Sequence, residues 1–285
     1  MRTTFKSFCI RILILLLFSC KESSSVGFPN LENKKGLLNR SLLYQNQIRE
    51  YILYIPQSYS EDTPLPVMLN FHGFGGTARR HLRSADMREL SESKGFILIY
   101  PQGTLLGNYA HWNPSLIGEG NKSSTDDLGF IDKLLTTLPE EINIDSSRIY
   151  ACGYSNGGFF SYGLACNLYS QIAAIGSVAG TMMSDTYENC QATMPKPMIN
   201  IHGVNDPIVP YEGAPGLVPI NDVLNFWSEL NFAENVEINF FEGVENYVYK
   251  DSIETPFVSH YKILNGTHTW DYNSLLSNNI NTNEL

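Results

Sequence analysis

Ser155 stands between two glycines in Gly153-Tyr154-Ser155-Asn156-Gly157-Gly158, the Gly-x-Ser-x-Gly spacing of a nucleophile elbow. An apolar β-type run precedes it, and Phe159, Phe160, Tyr162, Leu164 and Ala165 continue it with helix-compatible spacing. Such an elbow holds serine at the apex of a strand-to-helix turn. The helix start then aims free N–H groups and a positive dipole end at the serine oxygen and at any oxyanion beside it. Serine is a poor nucleophile until a neutral imidazole takes its proton and a carboxylate holds that imidazole in the right tautomer. The residue types therefore point to acyl transfer, and the chain must supply a base, an acid and a second oxyanion donor. Three histidines follow Ser155, namely His202, His260 and His268.

The elements that would position these groups alternate along the chain. Residues 49–56 read as a strand, and residues 67–71 and 96–100 are short continuous apolar runs of the kind found in strands covered on both faces. Residues 77–94 predict one helix stopped by Gly95, and residues 125–138 a second, with Asp126 and Asp127 capping its first turn. A loop over 104–124 carries Trp112. Strands are expected over 149–152, 172–178, 198–202, 236–242 and 259–264, with a helix over 222–231. Alternation of this kind predicts an α/β fold, a mostly parallel central sheet with helices on both faces. Sites in such sheets lie past the carboxyl ends of the strands, where His72, Ser155, Asp206 and His268 all fall.

In this architecture the order along the chain is serine, then acid, then histidine. His202 ends a predicted strand and His260 begins one, whereas His268 lies in a loop just past a strand, which makes it the expected base. Asp206, in the proline-flanked loop Gly203-Val204-Asn205-Asp206-Pro207-Ile208-Val209-Pro210, is the expected acid, with Asp271 and Asp222 as reserves. The oxyanion donors are expected to be the backbone N–H of Asn156 and that of Phe74, in the loop His72-Gly73-Phe74-Gly75-Gly76.

The chain of 285 residues is 43% hydrophobic and carries a formal charge of -10, so it can bury a full core and does not suit nucleic acid as a partner. Arg2, Lys6 and Arg11 precede an apolar run over residues 12–18, too short to span a bilayer and suited to a signal peptide. Leu17-Phe18-Ser19-Cys20 resembles a bacterial lipobox, with Cys20 as the lipidated residue. The expected organisation is a signal peptide over 1–19, a tether over 20–40 and a catalytic domain over 41–285. The expected location is extracytoplasmic, as an outer-membrane lipoprotein or a secreted protein, with membrane contact through Cys20 alone. Export permits a disulfide, and Cys166 with Cys190 is the expected pair, leaving Cys152 in a buried strand. No cysteine–histidine spacing suggests a metal, and no cofactor is expected.

Several motifs together resemble the secreted polyhydroxybutyrate depolymerase-like esterases, a family that includes feruloyl and acetyl-xylan esterases. They are His72 to Thr77, Gly153 to Gly158, Val178-Ala179-Gly180-Thr181, Ile201 to Tyr211 and Gly266 to Trp270, and the resemblance covers roughly residues 45–275. It implies an α/β-hydrolase fold and carboxylic ester hydrolysis, with Ser155, Asp206 and His268 at the positions of the family's triad. Trp112-Asn113 resembles an element near the family's substrate cleft, and Trp112 and Trp270 are accordingly expected to line the substrate site. Two departures stand out. Thr267 replaces the family's usual glycine, which is expected to change the loop that carries His268. The chain also ends where such proteins continue into a closing helix, so the C-terminal helix is expected to be missing. The resulting expectation is a monomeric serine esterase acting on hydroxyalkanoate, feruloyl or acetyl-polysaccharide esters. A secreted peptidase of the same fold, or a non-catalytic surface lipoprotein that binds glycan, would use the same cleft differently.

Overall fold

The computed structural model of the chain describes residues 35–116 and 120–270. The expected signal peptide, Cys20, the reserve acid Asp271 and the C-terminal end lie outside the described residues. In chain order the elements are β1 (Gly36–Tyr44), β2 (Gln47–Ile55), β3 (Leu65–Phe71), α1 (Ala78–Ser84), α2 (Arg88–Lys94), β4 (Ile97–Pro101), β5 (Thr104–Leu106) and β6 (Tyr109–His111). Then come α3 (Asp127–Thr137), β7 (Ile144–Tyr154), α4 (Asn156–Asn167), β8 (Ala174–Val178), α5 (Ser184–Glu188), β9 (Met198–Gly203), α6 (Ile220–Leu230), β10 (Asn235–Phe241), β11 (Val244–Lys250) and β12 (Pro256–Ile263).

Among the described residues ten strands form one sheet in the order β1-β2-β4-β3-β7-β8-β9-β12-β11-β10. The inner strands from β4 to β12 pair in parallel, and an antiparallel hairpin closes each edge. The inner strands are apolar because both their faces are covered, as in β4, where all five residues are buried. Alternate residues then divide between two layers. Leu53, Leu69 and Ile99 point into the large core with α3, α4 and α6, while Ile52, Met68 and Leu98 pack on the other face with Ala78 and Leu82 of α1. The layered α/β architecture expected from the alternation is therefore present.

Local details differ from expectation for identifiable reasons. The single helix expected over 77–94 is two, because Asp86 Oδ1 accepts the N–H of Arg88 at 3.0 Å and diverts the backbone between them. β1 begins at Gly36, inside the stretch expected as tether, and turns into β2 through Gln45 and Asn46, both at positive φ. The 104–124 loop contains the hairpin β5–β6. Asp126 caps α3 by accepting the Gly129 N–H, but Asp127 does not cap. It is buried in an ion pair with Arg49 at 2.6 Å and accepts the Asn113 N–H at 2.9 Å. Cys166 and Cys190 form a disulfide, and Cys152 is a buried free thiol whose pKa desolvation pushes up to about 12.

Candidate active site

Ser155 takes φ 54° and ψ -119°, a left-handed conformation that costs a non-glycine residue about 1–3 kcal/mol. The surroundings enforce it: the Ser155 N–H donates to Val178 O at 2.9 Å, and α4 starts at the next residue. The two glycines of the motif are close-approach positions. A Cβ on Gly153 would lie 2.4 Å from the carbonyl carbon of Gly157, and a Cβ on Gly157 would lie 2.2 Å from Phe71 O. Those contacts let α4 pack tightly against β7 and β3, which keeps the hydroxyl proud of the sheet.

His268 Nε2 lies 2.9 Å from Ser155 Oγ, and His268 Nδ1 lies 2.7 Å from Asp206 Oδ2. A carboxylate only accepts, so Nδ1 carries the proton and Nε2 offers its lone pair to the serine hydroxyl. The loops bearing Asp206 and His268 leave adjacent parallel strands, with Gly203 of β9 paired to Ile263 of β12. Asn205 N–H donates to Gly266 O at 2.9 Å, and a Cβ on Gly203 would sit 2.3 Å from Gly266 C, so the two loops touch backbone to backbone. Thr267 does not disturb this arrangement, because it does not adopt the positive φ that would have required glycine.

Asp206 is buried, and Ile208 N–H and Val209 N–H donate to its Oδ1 at 2.8 and 2.9 Å. Burial alone would raise its pKa. The hydrogen bonds from His268, Val209 and Ile208 outweigh burial and hold it below the ordinary carboxylate value. His202 stands behind this carboxylate, fully buried, with Nε2 donating to Val209 O at 2.8 Å and lying 3.6 Å from Asp206 Oδ2. It ties the loop that carries Asp206 to the end of β9. His260 is buried between Asn200 O and the Tyr211 hydroxyl. Asp222 lies exposed in the first turn of α6, where it does not meet His268.

As the first N–H of α4, that of Asn156 has no carbonyl partner within the helix. In the His72 to Thr77 loop, Gly75 N–H donates to Ala110 O and Gly76 N–H to Gly73 O, while no hydrogen bond among the described residues uses the Phe74 N–H. His72 stitches this loop in place as a neutral imidazole, donating from Nδ1 to Gly73 O at 2.8 Å and accepting the Gly103 N–H at 3.0 Å. Burial lowers its pKa to about 4.

Trp112 corrects an expectation. Its side chain is 0% exposed, set between Phe71 and Phe160, with its indole N–H donating to His72 O at 3.1 Å. So deeply buried, it presents no surface to a cleft and instead backs the loop from His72 to Thr77. Asn156 binds the same residue's backbone twice, its Oδ1 accepting Trp112 N–H at 2.8 Å and its Nδ2 donating to Trp112 O at 2.9 Å. Trp270 is half-buried with its ring edge against His81, 5.2 Å between centroids, so part of it stays accessible. Sequence reasoning missed Tyr154, whose hydroxyl donates to His268 O at 3.0 Å and whose ring lies 5.1 Å from the imidazole. Its place inside the elbow motif, one residue before the serine, was the available signal. Among the described residues no group of His, Cys, Asp or Glu is arranged to hold a metal ion.

Residues 118–225 match the family described as Phospholipase/Carboxylesterase. The chain is 25% identical over 170 residues to a bifunctional acetylxylan esterase/xylanase of Neocallimastix patriciarum, spanning 60% of this chain and 23% of that protein. It is 29% identical over 176 residues to feruloyl esterase C of Emericella nidulans, spanning 59% of each. The chain thus covers less than two thirds of these relatives. The fold matches the acetyl xylan esterase from Aspergillus awamori with a TM-score of 0.62 at 16% identity, covering 83% of this chain and 96% of that one. It also matches a ferulic acid esterase from Anaeromyces mucronatus, with a TM-score of 0.57 at 14% identity, covering 82% and 85%. The chain has the α/β-hydrolase fold, and its sequence relatives include feruloyl and acetylxylan esterases.

Proposed function

We infer that this α/β-hydrolase, a relative of the feruloyl and acetylxylan esterases, cleaves carboxylic esters through an acyl-enzyme on Ser155. The observation that carries the reading is the continuous chain from Ser155 Oγ to His268 at 2.9 Å and on to Asp206 at 2.7 Å. Ser155 Oγ attacks the ester carbonyl while His268 Nε2 takes its proton. Asp206 stabilises the imidazolium that forms and keeps Nδ1 protonated throughout. The carbonyl oxygen becomes an oxyanion and accepts the N–H groups of Asn156 and Phe74, each such donor contributing about 3 kcal/mol of transition-state stabilisation. Collapse breaks the C–O bond, and His268 returns its proton to the leaving alcohol. A water, deprotonated by the same imidazole, then attacks the acyl-enzyme and releases the acid with Ser155 restored.

Acetylated or feruloylated polysaccharide is the proposed natural ester. Its size agrees with an exported enzyme, held by a lipidated Cys20 or released.

The reading is tested with the full chain, Ser155→Ala beside it, on a short-chain p-nitrophenyl ester and with a fluorophosphonate label. Turnover and labelling that both disappear in the variant are expected. A folded wild-type protein with neither would overturn the proposal.

A further inference from the structure

Two large aromatic side chains beside the oxyanion donors contribute little to the core. Phe74 is 45% exposed and Tyr109 is 59% exposed, and their rings stack at 5.6 Å with an interplanar angle of 19°. The Lys122 ammonium lies 5.3 Å from the centre of the Phe74 ring. Aromatic rings of this size normally bury most of their area, so a stacked pair left in solvent suggests that a ligand completes the contact.

The topology places the pair at the mouth of the site. Phe71 is paired with Gly153, so the chain just beyond Phe71 runs beside the chain just beyond Gly153, where Ser155 stands. Tyr109 begins β6, and the hairpin it belongs to is tied to the Phe74 loop by the Gly75 N–H to Ala110 O bond at 2.7 Å. Main-chain pairing of Thr104 with His111 and Leu106 with Tyr109 holds that hairpin, so the Tyr109 ring is not needed to form it.

We propose that Tyr109, supported by Phe74, is a ring-binding ledge that selects esters carrying an aryl or pyranose ring within a few bonds of the scissile bond. The proposal rests on the esterase reading of Ser155. An aromatic face is electron-rich, and it takes either an offset aryl ring or the C–H face of a sugar. Lys122 adds a donor at the ledge for a hydroxyl, methoxy or carboxylate oxygen on that ring. The two ring sources share one chemistry and differ only in which side of the ester they occupy.

The test compares the full chain with Tyr109→Leu and Tyr109→Phe on three esters: ethyl acetate, which has no ring, methyl ferulate, and an acetylated methyl xylopyranoside. In Tyr109→Leu, kcat/KM for a ring-bearing ester is expected to fall about tenfold relative to ethyl acetate, mainly through KM, while Tyr109→Phe keeps the wild-type ratio. Loss confined to methyl ferulate assigns the ledge to an aryl acid. Loss confined to the xyloside assigns it to the sugar, and loss on both assigns it to either ring. An unchanged ratio in Tyr109→Leu, or an equal loss in Tyr109→Phe, overturns the proposal. Calorimetric titration of Ser155→Ala protein with methyl ferulate and with methyl xylopyranoside, with and without Tyr109→Leu, reads the ledge without turnover. A wild type inert to every ester would then sink the esterase reading while the titration still decides the ledge.

Discussion

Acid should destabilise this protein well above the pH at which its surface carboxylates titrate, because His72, His81, His202 and His260 are buried and desolvation holds all four below the ordinary imidazole pKa. For His72, His81 and His260 desolvation lowers the pKa values to about 4, 3 and 3. A folded pKa below the unfolded one means that the unfolded chain binds more protons between the two values. Stability is then full above about pH 6.5 and falls as pH drops toward 3–4. At pH 5 an unfolded imidazole is mostly protonated and the folded one is not, so each group removes about 2 kcal/mol relative to pH 7.5. The three together remove about 6 kcal/mol, comparable with the whole stability of many domains, about 5–15 kcal/mol. Asp127 works the other way, since burial raises its pKa and its protonation favours the fold in acid. A single variant isolates the imidazole contribution. His81 Nε2 lies 2.7 Å from Asn70 Oδ1, and His81→Gln retains an N–H for that oxygen without a titrating group. Urea unfolding of wild type and His81→Gln at pH 7.5 and pH 5 should show a pH-dependent loss smaller by about 2 kcal/mol in the variant. Equal losses in the two proteins would refute the argument that burial keeps His81 neutral.

Three further outcomes follow from the same geometry. Asp206→Asn keeps an oxygen for the Ile208 and Val209 N–H groups but can turn its amide N–H toward His268 Nδ1, forcing the wrong tautomer. Steady-state kinetics should show kcat down by about 10³–10⁴ with KM little changed, and a loss under tenfold would remove Asp206 from its proposed role. Tyr154→Phe deletes the hydroxyl that holds His268 O, so kcat should fall about fivefold, the kinetic equivalent of one hydrogen bond of about 1 kcal/mol. An unchanged kcat with a lower melting temperature would confine that bond to stability. Replacing Cys166 and Cys190 together by alanine opens a loop of 24 residues in sequence separation and should lower urea stability by about 3 kcal/mol, leaving kcat per folded molecule unaltered.

The amino-acid sequence by itself determined those features that depend on local backbone demands and on order. Gly153, Ser155 and Gly157 encode a turn whose strain and close contacts few other residues tolerate. The continuous apolar runs over 67–71 and 96–100 encode strands covered on both faces. The order of Ser155, Asp206 and His268, each just past a strand end, was legible for the same reason. Tertiary structure alone decided what non-local neighbours bring within a few ångströms. Trp112 and Tyr109 both lie in the stretch 104–124, yet one is sealed behind His72 by Phe71 and Phe160 while the other faces solvent beside Phe74. Asp127 reads as a helix cap until β2 delivers Arg49 to it. Of the three histidines after Ser155, His202 lies 3.6 Å behind the acid and His268 in front of it, 2.7 Å away. The physical reason is one of range. Dihedral preferences, glycine contacts and helix caps act over a few residues, whereas a side chain's exposure and partners are set by strands and loops tens of residues away in sequence.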